Sequence, residues 1–183
     1  MQIIDLCPDD EPAIQQVATF LFESFKTHWP DAWPSMESAV QEVQESFGAD
    51  KISRVAVDEK GSILGWIGGI EQYNGNVWEV HPLVVRSDCR GKGIGRSLLL
   101  DLEAQVKERD GVTLWVGTDD EDGMTTLANV NLYPNVWEHI TKIKNLRGHP
   151  YEFYQKCGFV IVGVMPDANG LGKPDIFMAK SVG

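Results

Sequence analysis

The segment RGKGIG at residues 90–95 joins an apolar run, WEVHPLVV at 78–85, to a run with helical period. That junction restricts the fold more than any other feature of the chain. The glycines allow positive φ and a close backbone approach to a ligand. The helix behind places Ile94, Leu98, Leu99, Leu102 and Val106 on one face, so it must pack back on a sheet. Free N–H groups of its first turn point along the helix dipole at whatever anion the loop encloses. Arg90, Lys92 and Arg96 add positive charge to a chain whose formal net charge is −11. A strand, a glycine-rich turn and a basic helix N-terminus in this order mark a pyrophosphate site.

The rest of the chain supplies a sheet around that junction. Residues 2–6 read as a short strand, followed by a helix capped at Asp9 or Asp10 with Ile14, Val17, Ala18, Leu21, Phe22 and Phe25 in helical period. HWPDAWP at 28–34 is broken by two prolines, and a second helix spans about 35–47. Residues 54–58 and 63–73 flank a Glu59-Lys60-Gly61 turn as a hairpin, and a third strand covers 77–86. The glycine-rich loop opens a helix over about 93–108, and 112–117 is a buried strand. Residues 119–148 read as a polar insertion, helical in part around 136–146. A short helix at 151–156 and strands at 159–165 and 175–180 close the chain. The class is α+β, a single domain over 1–183, with a β-α-β unit in the middle.

The loop lacks the G-K-[ST] of a P-loop, and its glycine spacing and mid-chain place differ from a Rossmann fingerprint. Arg90, Gly93 and Gly95 match the pattern [RQ]-x-x-G-x-[GA]. At this point the chain resembles the GNAT superfamily of acetyl-CoA-dependent N-acetyltransferases, over nearly its whole length. The late element Phe153-Tyr154-Gln155-Lys156-Cys157-Gly158-Phe159 belongs to the same resemblance. Four longer segments are similar to one branch, the aminoglycoside 6′-N-acetyltransferases of the enterococcal chromosomal type: WEVHPLVV, GTDDEDGMTTL at 117–127, NLRGHPYEFYQKCGF at 145–159 and NGLGKPDIFMAK at 169–180. The resemblance implies a central mixed, mostly antiparallel sheet, splayed at a cofactor cleft and flanked by helices. It implies acetyl-CoA as cofactor, with Arg90, Gly91, Lys92, Gly93, Ile94, Gly95 and Arg96 around the pyrophosphate.

In the third strand, alternation places Glu79, His81 and Leu83 nominally on one face. Pro82 has no N–H, so the ladder is interrupted there. By resemblance, backbone amides of Leu83, Val84 and Val85 serve the thioester carbonyl and pantetheine arm, and a Leu83 N–H would also stabilise an oxyanion. Transfer to an amine requires a proton acceptor. Glu79, directly or through water, is the first candidate and His81 the second. His81 reads equally as a hydrogen-bonded core histidine. By resemblance Tyr154 protonates or stabilises the leaving thiolate.

A cationic acceptor suits the acidic chain. In the run Asp119-Asp120-Glu121-Asp122, Asp122 is the preferred contact, although such runs are commonly solvated loops. Trp29 and Tyr73 could offer flat walls to a sugar, Asp175 is a weaker acceptor contact, and Trp29 could equally be core. The function expected is acetyl transfer to a primary amine of a cationic small molecule, the 6′-amine of an aminoglycoside, by direct transfer in a ternary complex. A polyamine or peptide amine, and a non-catalytic acyl-CoA sensor, are the alternatives.

The charge argues against nucleic acid and anionic membrane as partners. No apolar run approaches the roughly 20 residues of a membrane span. The first residues do not read as a signal peptide, so a cytoplasmic setting is expected. Three cysteines without a C-x-x-C pair argue for reduced thiols, and four scattered histidines for no metal site. Cys89, beside the loop, carries no mark of an activated nucleophile. A homodimer follows from the resemblance.

Overall fold

The computed structural model describes residues 1–183. Two compact units are present: residues 1–114 with 182–183, and residues 115–181. The secondary structure is mixed α/β with mostly antiparallel strands flanked by helices, as the sequence indicates.

The first unit is an antiparallel sheet in the order β1 (Gln2–Asp5), β2 (Lys51–Val57), β3 (Ile63–Gln72), β4 (Val77–Val85). On one face lies α1 (Glu11–Phe25), whose Asp10 cap accepts from the Ala13 N–H at 3.1 Å. Beside it lies α2 (Met36–Glu45), started by a Ser35/Ser38 capping box. Ile14, Val17, Leu21, Ala39 and Val43 of these helices enclose Val55, Trp66 and Val84 of the sheet in one apolar cluster. On the opposite face lies α3 (Ile94–Lys107), which buries Leu98, Leu99, Leu102 and Val106. Two glycines of β3 make room for it: a Cβ on Gly65 or Gly69 would meet Leu98 or Leu102 at 3.2 or 2.8 Å. Arg54 pins the layers together, reaching Asp5 of β1 and Asp101 of α3.

The second unit holds most of β5 (Thr113–Asp119) beside β7 (Asp175–Ser181), with β6 (Val160–Met165) at the edge and antiparallel to β7. Two short helices, α4 (Val136–Thr141) and α5 (Tyr151–Lys156), complete it. The stretch 119–148 differs from the expected polar insertion. Met124, Leu127, Ala128 and Leu132 are buried, and the helix within it is one short α4. These apolar residues follow no regular period, so the pattern that reveals a helix or strand does not reveal them.

Candidate active site

The basic loop is built as its sequence suggests. Gly91 and Gly93 have φ of +76° and +85°, and added Cβ atoms would meet no neighbour within 4 Å. Gly93 is the residue before α3, and no side chain caps that helix. The first-turn N–H groups therefore face outward from an open glycine surface, the arrangement an anion requires. Arg90 Nε donates to the Val85 carbonyl at 3.3 Å, which ties the loop to the end of β4. Lys92 Nζ donates to the Asp88 carbonyl at 3.0 Å. Arg90, Lys92 and Arg96 are all exposed, and Ile94 is buried under the loop as an anchor. The residues present fit a pyrophosphate.

β4 carries the next part of the site. Ile67 pairs with Leu83 and Gly69 with Val80, so His81 and Pro82 together oppose Gly68. This is a β-bulge at the interruption that Pro82 indicates. Gly68 is required by it, because a Cβ there would stand 2.1 Å from the His81 carbonyl oxygen.

The bulge corrects the expected alternation. Val80 and Val85 lie opposite Gly69 and Gly65, on the α3 face. Leu83, one residue from the α1-facing Val84, also lies on the α3 face, whereas Glu79 and His81 point toward α2. One inserted residue reverses the facing of everything beyond it.

A second correction concerns amides. The Arg86 N–H donates to the Leu64 carbonyl at 2.9 Å. Antiparallel alternation then directs the Val84 N–H to Trp66, and turns those of Leu83 and Val85 toward the other edge of β4. Val84 is thereby removed as an amide donor to a ligand.

Glu79 is half-buried and held on both sides. Gln72 Nε2 donates to its Oε2 at 2.6 Å, and His81 Nδ1 is 3.8 Å from its Oε1. Burial raises its pKa above the ordinary glutamate value, against the opposing pull of His81, Gln72 and Lys51. A carboxylate tuned upward accepts a proton more readily near neutral pH. The imidazole of His81 lies between two carboxylates, with Nε2 3.5 Å from Glu42 Oε1. Glu42, on α2, escapes sequence reasoning, because nothing distinguishes it from the other acids of that helix. Trp29 is half-buried against Phe25 at 5.4 Å between ring centres, while Tyr73 is 75% exposed with φ +50°.

In the second unit, Tyr154 is buried and edge-packed on Phe153 and Phe159. Burial, with Cys157 adding to it, pushes its phenol well above the usual tyrosine range, so the hydroxyl keeps its proton. The acidic run holds its own loop together. Asp120 is fully buried and accepts from the Met124 and Thr125 N–H groups at 2.6 and 2.8 Å. Asn169 donates to Asp119, and Lys173 lies 3.6 Å from Glu121. Asp122 is exposed, 3.9 Å from the Arg147 guanidinium, which also donates to the Asp122 carbonyl. Asp175, at the start of β7, lies against Gly117 of β5, where a Cβ would meet its carboxylate at 2.8 Å. His149 is buried, accepting from the Tyr151 N–H at Nδ1, with Nε2 3.2 Å from the Asp119 carbonyl. Burial lowers its pKa.

An open glycine cradle at a helix N-terminus thus follows a bulged strand that carries an upward-tuned glutamate. The chain belongs to the acetyltransferase (GNAT) family, whose model matches residues 17–128. No curated protein matches it at a significant level. Solved structures do. A coenzyme A complex of an aminoglycoside 6′-N-acetyltransferase is 41% identical with a TM-score of 0.91, covering 100% of this chain and 97% of that one. The aminoglycoside 6′-N-acetyltransferase from Enterococcus faecium is 42% identical with a TM-score of 0.89, over the same shares of 100% and 97%. An aminoglycoside 6′-acetyltransferase of type Ii is 35% identical with a TM-score of 0.75, again covering 100% and 97%.

Proposed function

We propose that the protein acetylates a primary amine of a cationic small molecule, the 6′-amine of an aminoglycoside, with acetyl-CoA as donor. The observation that carries this reading is Glu79: a half-buried carboxylate with a raised pKa, on the strand that leads into the pyrophosphate loop. Full-length similarity at 41% and 42% to aminoglycoside 6′-N-acetyltransferases supports the choice of acceptor.

Bound acetyl-CoA supplies an acetyl thioester. Arg90, Lys92, Arg96 and the amides at Gly91, Gly93, Ile94 and Gly95 hold its pyrophosphate. The Leu83 and Val85 N–H groups would orient the acyl arm, and that of Leu83 would favour negative charge on its carbonyl oxygen. Glu79, alone or through a water, takes a proton from the acceptor ammonium and leaves a free amine. Tyr154 retains its proton and can stabilise a thiolate by donating a hydrogen bond to it. Trp29, Tyr73, Asp122 and Asp175 are the acceptor contacts we assign. Transfer is direct, in a ternary complex. The Cys89 sulfur is buried, which keeps it from an acyl donor. We also assign a homodimer to the active protein, supported by the exposed Val160, Val162 and Met165 on edge strand β6.

The test is thiol release from acetyl-CoA with aminoglycosides that have or lack a 6′-amine, alongside polyamines. Release is expected with the first and only background release with the second. Equal rates would refute the regiochemistry, and faster release with polyamines would reassign the acceptor.

A further inference from the structure

Glu42 stands outside the machinery described so far, yet its surroundings are specific. Trp33 Nε1 donates to its Oε2 at 3.1 Å. The indole is in turn fixed edge-on against Phe25, 4.6 Å between ring centres. One oxygen is thereby committed, and the carboxylate presents the other to His81 Nε2 at 3.5 Å. Trp33 also leans on the His81 ring, 6.2 Å between centres. On the far side of that ring, Nδ1 faces Glu79 Oε1 at 3.8 Å. Glu42, from α2, and Glu79, from β4 itself, are the charged groups that face the imidazole, with Lys51 acting on Glu79 from β2.

An ionised carboxylate can only accept. Glu79 faces Nδ1 in the same way, but Glu42 stands nearer to its nitrogen, 3.5 against 3.8 Å, and so favours a proton on Nε2. In the neutral ring that leaves a lone pair on Nδ1, facing Glu79. We propose that Glu42 is a positioning residue, which sets the tautomer of His81 so that Nδ1 stands as a second proton acceptor behind Glu79. The proposal rests on the reading of Glu79 as the proton-accepting group. The proton balance is simple. The acceptor ammonium N–H breaks as an O–H forms on Glu79. That O–H then breaks as N–H forms on Nδ1, giving an imidazolium between two carboxylates. The imidazolium side chain, 40% exposed, returns the proton to solvent. Contacts of this kind tighten when the substrate binds, so 3.8 Å is within reach of a small ring rotation.

Glu42→Gln tests this without changing the shape. Trp33 Nε1 will hold the amide oxygen, so the NH2 faces Nε2 and forces it to become the acceptor. The proton then moves to Nδ1, which donates to Glu79 and weakens it as a base. Long-range ¹⁵N NMR of the His81 ring, assigned with His81→Gln, reads the tautomer directly. The expected result is Nε2–H in the native protein and Nδ1–H in Glu42→Gln. In the double variant Trp33→Phe/Glu42→Gln the amide is free to turn its oxygen to His81, and Nε2–H returns. Steady-state kinetics should show kcat lowered roughly 10-fold in Glu42→Gln, part of what a positioned base contributes. KM for acetyl-CoA should stay unchanged, and kcat should recover partly in the double variant. The same tautomer in native protein and Glu42→Gln overturns the proposal, and so does a switched tautomer with unchanged kcat. A switched tautomer in a protein that acetylates no amine keeps the positioning of His81 and sinks the functional reading instead.

Discussion

Asp120→Asn separates the structural carboxylate of the acidic run from its neighbours. Asp120 is fully buried, with one oxygen on the Met124 N–H and the other on the Thr125 N–H. Asparagine keeps the shape but offers one carbonyl oxygen and one NH2. One backbone N–H keeps a neutral acceptor and the other meets a donor. A hydrogen bond to a charged group contributes about 1.5–3 kcal/mol against about 1 for a neutral one, and a stranded buried donor costs about 1–3 kcal/mol. The amide is easier to desolvate than the carboxylate, which offsets part of the loss. The balance is a destabilisation of roughly 2–4 kcal/mol. At about 2–4 °C per kcal/mol for a chain of this size, Tm should fall by roughly 4–16 °C. Thermal melts followed by circular dichroism measure the shift. Hydrogen exchange localises it, because the Met124 and Thr125 amides should lose protection before the β-strands do. A Tm within about 2 °C of native, with those amides still protected, would refute the argument that Asp120 orders this loop.

Three further outcomes follow from the site. Because burial raises the Glu79 pKa, the acid limb of kcat/KM should lie above about pH 4.3, where glutamate ordinarily titrates. Glu79→Gln should lower kcat by roughly 100-fold or more and abolish that limb, and a limb that survives the substitution would assign it elsewhere. Gly93→Ala adds a Cβ to a residue at φ +85° that meets no neighbour, so only backbone strain of about 1–2 kcal/mol acts. Calorimetric Kd for coenzyme A should rise roughly 5- to 30-fold, and an unchanged Kd would dissociate the loop from the pyrophosphate. The pKa of His149 is lowered in the folded chain, so the unfolded chain binds the extra proton first. Stability should therefore be flat above about pH 6.5 and fall as pH drops below it. Urea melts of His149→Gln should lack that part of the slope.

Helical period in α1 and α3, a cap at Asp9 or Asp10, and the glycine loop were all legible, because each depends on residues adjacent in sequence. The bulge was half legible. Pro82 announced an interrupted ladder, but the partner that accommodates it is Gly68, fourteen positions upstream, and the reversal of facing at Leu83 depends on that pairing. Glu42 was not legible at all. Its significance comes from Trp33 and His81, which packing brings to it from a loop and a strand. The roles within Asp119-Asp120-Glu121-Asp122 were hidden for the same reason. Four adjacent acids look alike until Met124, Thr125, Asn169, Lys173 and Arg147 select among them.

The bulge in β4 also divides the strand into two reading frames. Glu79 and His81 face α2, whereas Leu83 and Val85, at the same spacing beyond the bulge, face α3, with Gly68 as the joint. Side chains at 79 and 81 can therefore be exchanged without refacing the amides at 83 and 85. A lineage, or an engineer, could retune proton handling on one half of this strand while the donor-binding half stays in register, provided position 68 remains glycine.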